Sequence, residues 1–168
     1  MSSPDASVRL DVGDQIPSVG LRATDGFLLN LRSFVTKQPV ALLFFAGPTA
    51  SGAQRAGGDA LATALAKGAG RLAERGIAAV GITCDSEAQQ RAYVQERSLP
   101  FLLMSDERRS AVVLLGIPTL AEGANHNVAP PVLVAVDREG LIRAVYHDPD
   151  PRTLVAVILE TFRESAAA

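Results

Sequence analysis

The chain has 168 residues, a net charge of −2, and 48% hydrophobic against 20% charged residues. That suits one domain over residues 1–168, with its core over about residues 8–165. Interspersed charges of nearly balanced sign, few aromatics and no Trp argue against nucleic acid or an anionic membrane as partner. The single cysteine excludes an internal disulfide and a thiolate metal cluster, so neither metal nor cofactor is expected. The opening MSSPDASVRL has no apolar core and no run approaches a membrane span, so the cytoplasm is the expected compartment.

In chain order, residues 8–14 form a short lead-in, and Asp25-Gly26 predicts a hairpin between strands at 21–24 and 27–31. Val40 to Phe45 reads as a fully buried strand. It breaks at Gly47-Pro48 into a turn of small residues, Thr49 to Ala53. The spacing of Leu61, Leu65 and Leu72 then predicts a long helix stopped by Gly76. Gly57, Gly58 and Gly68 predict a weakened or kinked helix there. Residues 77–83 form a second buried strand closing on Cys84-Asp85. Ser86 with Gln89 predicts a capping box for a helix to about Arg97.

A short strand at 101–104, a brief helix capped by Asp106 and ended by Gly116, and a loop over 117–131 follow. Strands at 132–136 and 141–146 form a hairpin about Asp137 to Gly140. Asp150-Pro151 predicts the start of the last helix, with Leu154, Ile158 and Phe162 on its buried stripe. Strands alternating with helices, closed by an antiparallel hairpin, predict an α/β fold: a mixed sheet flanked by helices on both faces.

That order, with the residues at its joints, resembles the peroxiredoxin-like branch of the thioredoxin fold, the alkyl hydroperoxide reductase and thiol-specific antioxidant group. The landmarks are Val12-Gly13-Asp14 with Pro17, Asp25-Gly26, Leu31 with Ser33-Phe34, and the Phe44-Phe45 strand end. They continue through Val80 to Thr83 with Asp85, Ser105-Asp106, Gly116-Ile117, Pro131, Val136-Asp137 and Gly140. The resemblance implies a homodimer and a site at the start of the long helix. The family's motif there is a proline, then a threonine or serine, then the peroxidatic cysteine in the first helical turn.

Laid on Phe44-Phe45, the motif places Ala46 at the proline, Ala50 at the threonine and Ala53 at the cysteine. Shifted by one residue, it places Thr49 at the threonine and Gly52 at the cysteine. Neither register supplies sulfur. The family's activating arginine falls near Pro130-Pro131, where Pro131 instead resembles the cis-proline of thioredoxin-like relatives. Peroxide reduction needs a thiolate, which a helix N-terminus stabilises. The expectation is a catalytically degenerate member that binds a small-molecule ligand or a protein partner at that helix.

The candidate ligand-binding residues are Thr49, Ala50, Ser51, Gly52, Ala53, Arg55 and Pro131. Their hydroxyls and free N–H groups suit a carboxylate-like anion, or they only cap the helix. Arg55, one turn in, is either a replacement for the missing arginine or a solvated helix residue. The turn also approaches a phosphate-binding loop, but Ala53-Gln54 stands where Lys and a hydroxyl residue are needed, so nucleotide hydrolysis is not expected.

Two catalytic candidates complete the set. Cys84 ends the second buried strand, either as a redox thiol or as a small buried apolar residue. His126, in the 117–131 loop, is either a proton-transfer group in a recruited enzyme or a solvated loop residue. His147 reads as a turn residue far from the site.

Overall fold

The computed structural model describes residues 11–117, 120–121, 127–129 and 131–167. The elements run β1 (Gly20–Ala23), β2 (Leu28–Asn30), α1 (Leu31–Val35), β3 (Val40–Phe44), α2 (Gly52–Glu74), β4 (Ala78–Thr83) and α3 (Glu87–Arg97). They continue with β5 (Leu102–Ser105), α4 (Ser110–Leu115), β6 (Leu120–Ala121), β7 (Asn127–Val128), β8 (Val132–Val136), β9 (Ile142–His147) and α5 (Leu154–Ala167). Among the described residues, seven strands form one mixed sheet in the order β2-β1-β5-β4-β3-β8-β9. β3, β4 and β5 are parallel, and the other pairings are antiparallel. This is the α/β architecture, with its N-terminal hairpin, that the sequence predicts.

The alternation of side chains along β3 sorts the core into two layers. Val40, Leu42 and Phe44 pack with Leu31 and Val35 of α1 and with Ala111, Val112 and Leu115 of α4. Ala41, Leu43 and Phe45 pack on the other face with Leu61, Leu65 and Leu72 of α2, Tyr93 of α3, and Leu154, Ile158 and Phe162 of α5. All five residues of β3 and all five of β8 are buried. That explains why both read as continuous apolar runs rather than as alternating ones.

Several local expectations change. Leu31 does not extend the first hairpin. The Asn30 side chain accepts from Ser33 N at 3.2 Å and starts α1, a five-residue helix that the alternation of the preceding strand conceals. Helix α2 runs unbroken through its glycines, because two of them answer close approaches. A Cβ on Gly58 would overlap the Ala46 carbonyl oxygen, and one on Gly68 would overlap Val155 of α5. The 117–131 loop contains the paired strands β6 and β7.

Helix α5 begins at Leu154, with Asp150 to Thr153 forming a turn closed by Thr153 N to Asp150 O at 3.1 Å. The Ser86–Gln89 capping box is present in both directions. Asp106 caps α4 from a distance, accepting from Ala111 N at 2.9 Å and Val112 N at 3.0 Å. No described helix is long and apolar enough to cross a membrane.

Candidate functional site

β3 ends at the carboxyl edge of the sheet, where the chain must turn sharply to enter α2. Asp85, just past the end of β4 and 4% exposed, organises that turn. Its carboxylate accepts from Thr49 N at 3.2 Å and from the Thr49 hydroxyl. Gly47 is required beneath it, since a Cβ there would fall on Asp85 Oδ2 and 2.9 Å from the Thr83 side chain. Behind Asp85, Gln90 Nε2 donates to Thr83 Oγ1 at 2.8 Å and to Met104 O at 2.9 Å, locking α3 onto β4 and β5. A buried carboxylate with such donors fixes the loop rather than awaiting a substrate.

Arg55 fastens the other side of the turn. Its Nη1 donates to Pro48 O at 2.9 Å and its Nε pairs with Asp59 at 3.0 Å. Tyr93 donates its hydroxyl to Asp59 at 2.6 Å, and the Arg55 and Arg97 guanidinium groups lie 5.5 and 5.4 Å from the Tyr93 ring centre. Arg55 ties α2 to α3 and to the turn.

Between the first turns of α2 and the loop after β9 lies a pocket of about 280 Å³. Ala53, Gln54, Gly58 and Leu61 line it from α2, and Pro131 and Pro149 from the opposite wall. Ala53 and Pro131 both line this pocket. Of the other residues proposed for the mouth, Ala50 is buried against Ala46, Thr49 is engaged by Asp85, and Ser51 and Gly52 are exposed at the helix start. The pocket is mostly apolar. One group breaks that pattern: Gln54 Oε1 is shielded from solvent and accepts no hydrogen bond from the described residues.

The far wall is absent from the sequence reading, which sets the His147 turn at a distance. β9 runs antiparallel to β8, pairing His147 with Val132, so the chain returns to the pocket. Asp148 N donates to Pro131 O at 2.8 Å, and Asp148, Pro149 and Pro151 close the cavity. Gln54, Gly58 and Leu61 stand at i, i+4 and i+7 on one face of α2 beside Ala53, so helical spacing could have grouped them.

Cys84 continues the alternation of β4 onto the face covered by α1 and α4, packing against that core layer. Helix α2 and the pocket wall at Leu61 belong to the opposite layer. Burial, with help from the Asp106 and Asp85 carboxylates, pushes the Cys84 thiol up to about 12, against a smaller opposing pull from Arg109. His126 lies outside the described residues. Among the described residues no peptide bond is cis, and the bond preceding Pro131 begins at Pro130, outside them. Among them, too, no group of three or more His, Cys, Asp or Glu side chains is placed to hold a metal ion.

A profile of the AhpC/TSA family matches residues 12–145. The chain belongs to the AhpC/TSA family. Among curated AhpC/TSA relatives, the chloroplastic peroxiredoxin Q of Suaeda salsa is 27% identical over 140 residues, covering 83% of this chain and 61% of that protein. Its counterpart from Triticum aestivum is 26% identical over 140 residues, covering 83% and 60%. The chain spans about six-tenths of the length of these relatives.

Solved structures of similar fold include peroxidoxin BcpB from Mycobacterium tuberculosis, with a TM-score of 0.79 at 19% identity, over 93% of this chain and 98% of that one. A cysteine-to-serine mutant of a peroxiredoxin Q from Xylella fastidiosa has a TM-score of 0.79 at 12% identity, over 94% and 98%.

Proposed function

We propose that this AhpC/TSA protein is catalytically degenerate as a thiol peroxidase and acts by binding a small molecule in the pocket beside the first turns of α2. The observation that carries this reading is Ala53 on the pocket wall, where one register of the family motif calls for the peroxidatic cysteine and the other places it on the neighbouring Gly52. Peroxide reduction begins when a thiolate attacks the O–O bond, leaving a sulfenic acid on sulfur and releasing the alcohol or water. A methyl group cannot start that sequence. The one cysteine, Cys84, packs on the opposite face of the sheet with its ionisation opposed by burial. These facts favour binding over a Cys84-dependent oxidoreductase.

The pocket's chemistry restricts the ligand. Its walls are largely Ala, Gly, Leu and Pro carbon, and Gln54 Oε1, without a partner among the described residues, is an acceptor. The molecule that fits is small and largely apolar, with one O–H or N–H to offer Gln54. The Thr49 hydroxyl and Arg55 do not enter this recognition, being committed to Asp85, Asp59 and the Pro48 carbonyl.

The test has two arms. Hydrogen peroxide and an alkyl hydroperoxide are offered to wild type and to Cys84→Ser with a dithiol reductant. Consumption no faster than without protein is the expected result, and turnover by wild type that Cys84→Ser abolishes would overturn the reading. In the second arm, small alcohols and amides are screened by thermal shift against wild type and Leu61→Trp, which fills the pocket. Stabilisation of wild type alone supports the pocket, whereas equal shifts in both remove it.

A further inference from the structure

We propose that the outer face of α2, beside the start of α5, is a docking groove for an acidic amphipathic helix of a protein partner. This goes beyond the pocket reading and does not depend on it. The groove encloses about 800 Å³ and is bounded by α2 on one side and by residues 151–156 on the other. Its shape follows from the sequence of α2. Ala56, Ala60 and Ala64 recur once per turn and make a low row, which ends at Gly68 where Val155 of α5 crosses. Asp59, Thr63, Lys67 and Arg71 recur at the same interval on the neighbouring row and make a high wall. From Ala56 to Arg71 the groove is roughly 22 Å long at the rise of an α-helix.

Charge selects the occupant. Lys67, Arg71, Arg97 and Arg152 line the groove against one carboxylate, Asp59, on a chain whose net charge is −2. Asp59 is already engaged by Arg55, Arg97 and Tyr93. Glu96 stands in the adjoining hollow beside Lys67 and Arg97. Arg152 is held by Asp150 at 3.0 Å, on the far wall. Lys67 and Arg71 are exposed and reach no partner among the described residues. Arg97 is fixed in place, donating Nη2 to Thr63 at 2.9 Å with its guanidinium stacked on Tyr93.

Two of the cations, Lys67 and Arg71, thus stand one turn apart along α2, with Arg97 of α3 and Arg152 on the far wall beside them. A lone phosphate would meet two flexible side chains in open water, with no converging backbone donors. A partner helix carrying carboxylates one turn apart meets both at once, while its small residues settle on the alanine row.

The probe is a fluorescein-labelled, alanine-based helical peptide of roughly four turns, with Glu at every fourth position, alongside versions with Gln or Lys in place of Glu. Anisotropy is read with wild type and with the double variant Lys67→Glu/Arg71→Glu. Both changes lie on exposed positions, and circular dichroism and the melting temperature verify the fold. The Glu peptide is expected to bind wild type at least tenfold more tightly than the Gln peptide, and less tightly as salt rises. The double variant is expected to lose that preference and to bind the Lys peptide instead. Equal binding of Glu and Gln peptides, or unchanged Glu-peptide binding by the double variant, would overturn the proposal. So would a single-stranded oligonucleotide or inorganic phosphate that displaces the peptide at equal charge concentration.

Discussion

The reactivity of Cys84 can be worked out before it is measured. Burial first, then the Asp106 and Asp85 carboxylates, raise its thiol from 9.0 to about 12. Three pH units reduce the thiolate fraction at neutral pH about a thousandfold relative to an unperturbed thiol. A more basic thiolate is also the better nucleophile, and a Brønsted coefficient of about 0.4–0.5 recovers a factor of roughly 15–30. The net expectation is alkylation by iodoacetamide roughly fifty-fold slower than glutathione at neutral pH, before any steric hindrance.

Rates are measured by mass spectrometry of the intact protein across the pH range, and the rate should still be climbing at the highest pH the fold tolerates. Asp106→Asn removes one of the two carboxylates facing the sulfur and should speed the reaction at fixed pH. A neutral-pH rate matching glutathione, or a profile levelling off near pH 8, would refute the argument and reopen the redox reading of Cys84. Linkage gives an independent sign. Because the folded thiol holds its proton more tightly than the unfolded one, its contribution to stability is intact below the ordinary thiol range. It is lost as pH rises toward 12. Cys84→Ser should flatten that alkaline slope.

Other outcomes follow from the same contacts. Tyr93→Phe removes the buried hydroxyl that Asp59 accepts at 2.6 Å while leaving the ring in place. It should cost about 2 kcal/mol in urea denaturation, lowering the melting temperature by about 4–8 °C. Gly58→Ala should destabilise by about 2–3 kcal/mol despite the better helix former, because the new methyl meets the Ala46 carbonyl and the Phe45 ring. Gly57→Ala, next to it but with nothing within 4 Å, should instead stabilise by up to about 1 kcal/mol. Thr49→Val should loosen the turn before α2, seen as faster hydrogen exchange at residues 48–54, since Asp85 loses its hydroxyl donor.

The fold was readable where local signals and burial agree. Continuous apolar runs at β3 and β8, the Ser86–Gln89 box and the Asp106 cap are all local statements, and each stands in the structure. Helix α1 was not readable, because five residues after Asn30 carry no period long enough to distinguish them from the end of a strand. The pocket was half readable. The α2 wall follows from helical spacing, but the Asp148–Pro151 wall depends on β9 returning beside β8, a long-range placement that the hairpin's own residues do not encode. The Asp59–Tyr93 bond joins residues 34 positions apart on different helices. Only packing against a common sheet face brings them together, and no local pattern encodes it.

What the residues around the α2 mouth do with their hydrogen bonds bears on the binding role proposed for it. A thiolate site leaves donors uncommitted, so that they can meet the sulfur and the peroxide. Here the Thr49 hydroxyl and amide go to Asp85, and Arg55 goes to Asp59 and to the Pro48 carbonyl. The turn therefore closes on itself and needs neither sulfur nor an external anion to be stable. Restoring a thiol alone, as in Ala53→Cys, should accordingly give a cysteine that iodoacetamide modifies readily at the exposed start of α2, yet one that reduces peroxide slowly. The helix terminus would help ionise the sulfur, but Arg55 and the Thr49 hydroxyl, already committed, would not stabilise charge developing on the departing oxygen. Fast peroxide turnover by that single variant would mean the donors exchange partners easily, and the structural case for a turn committed to its own fold would fall.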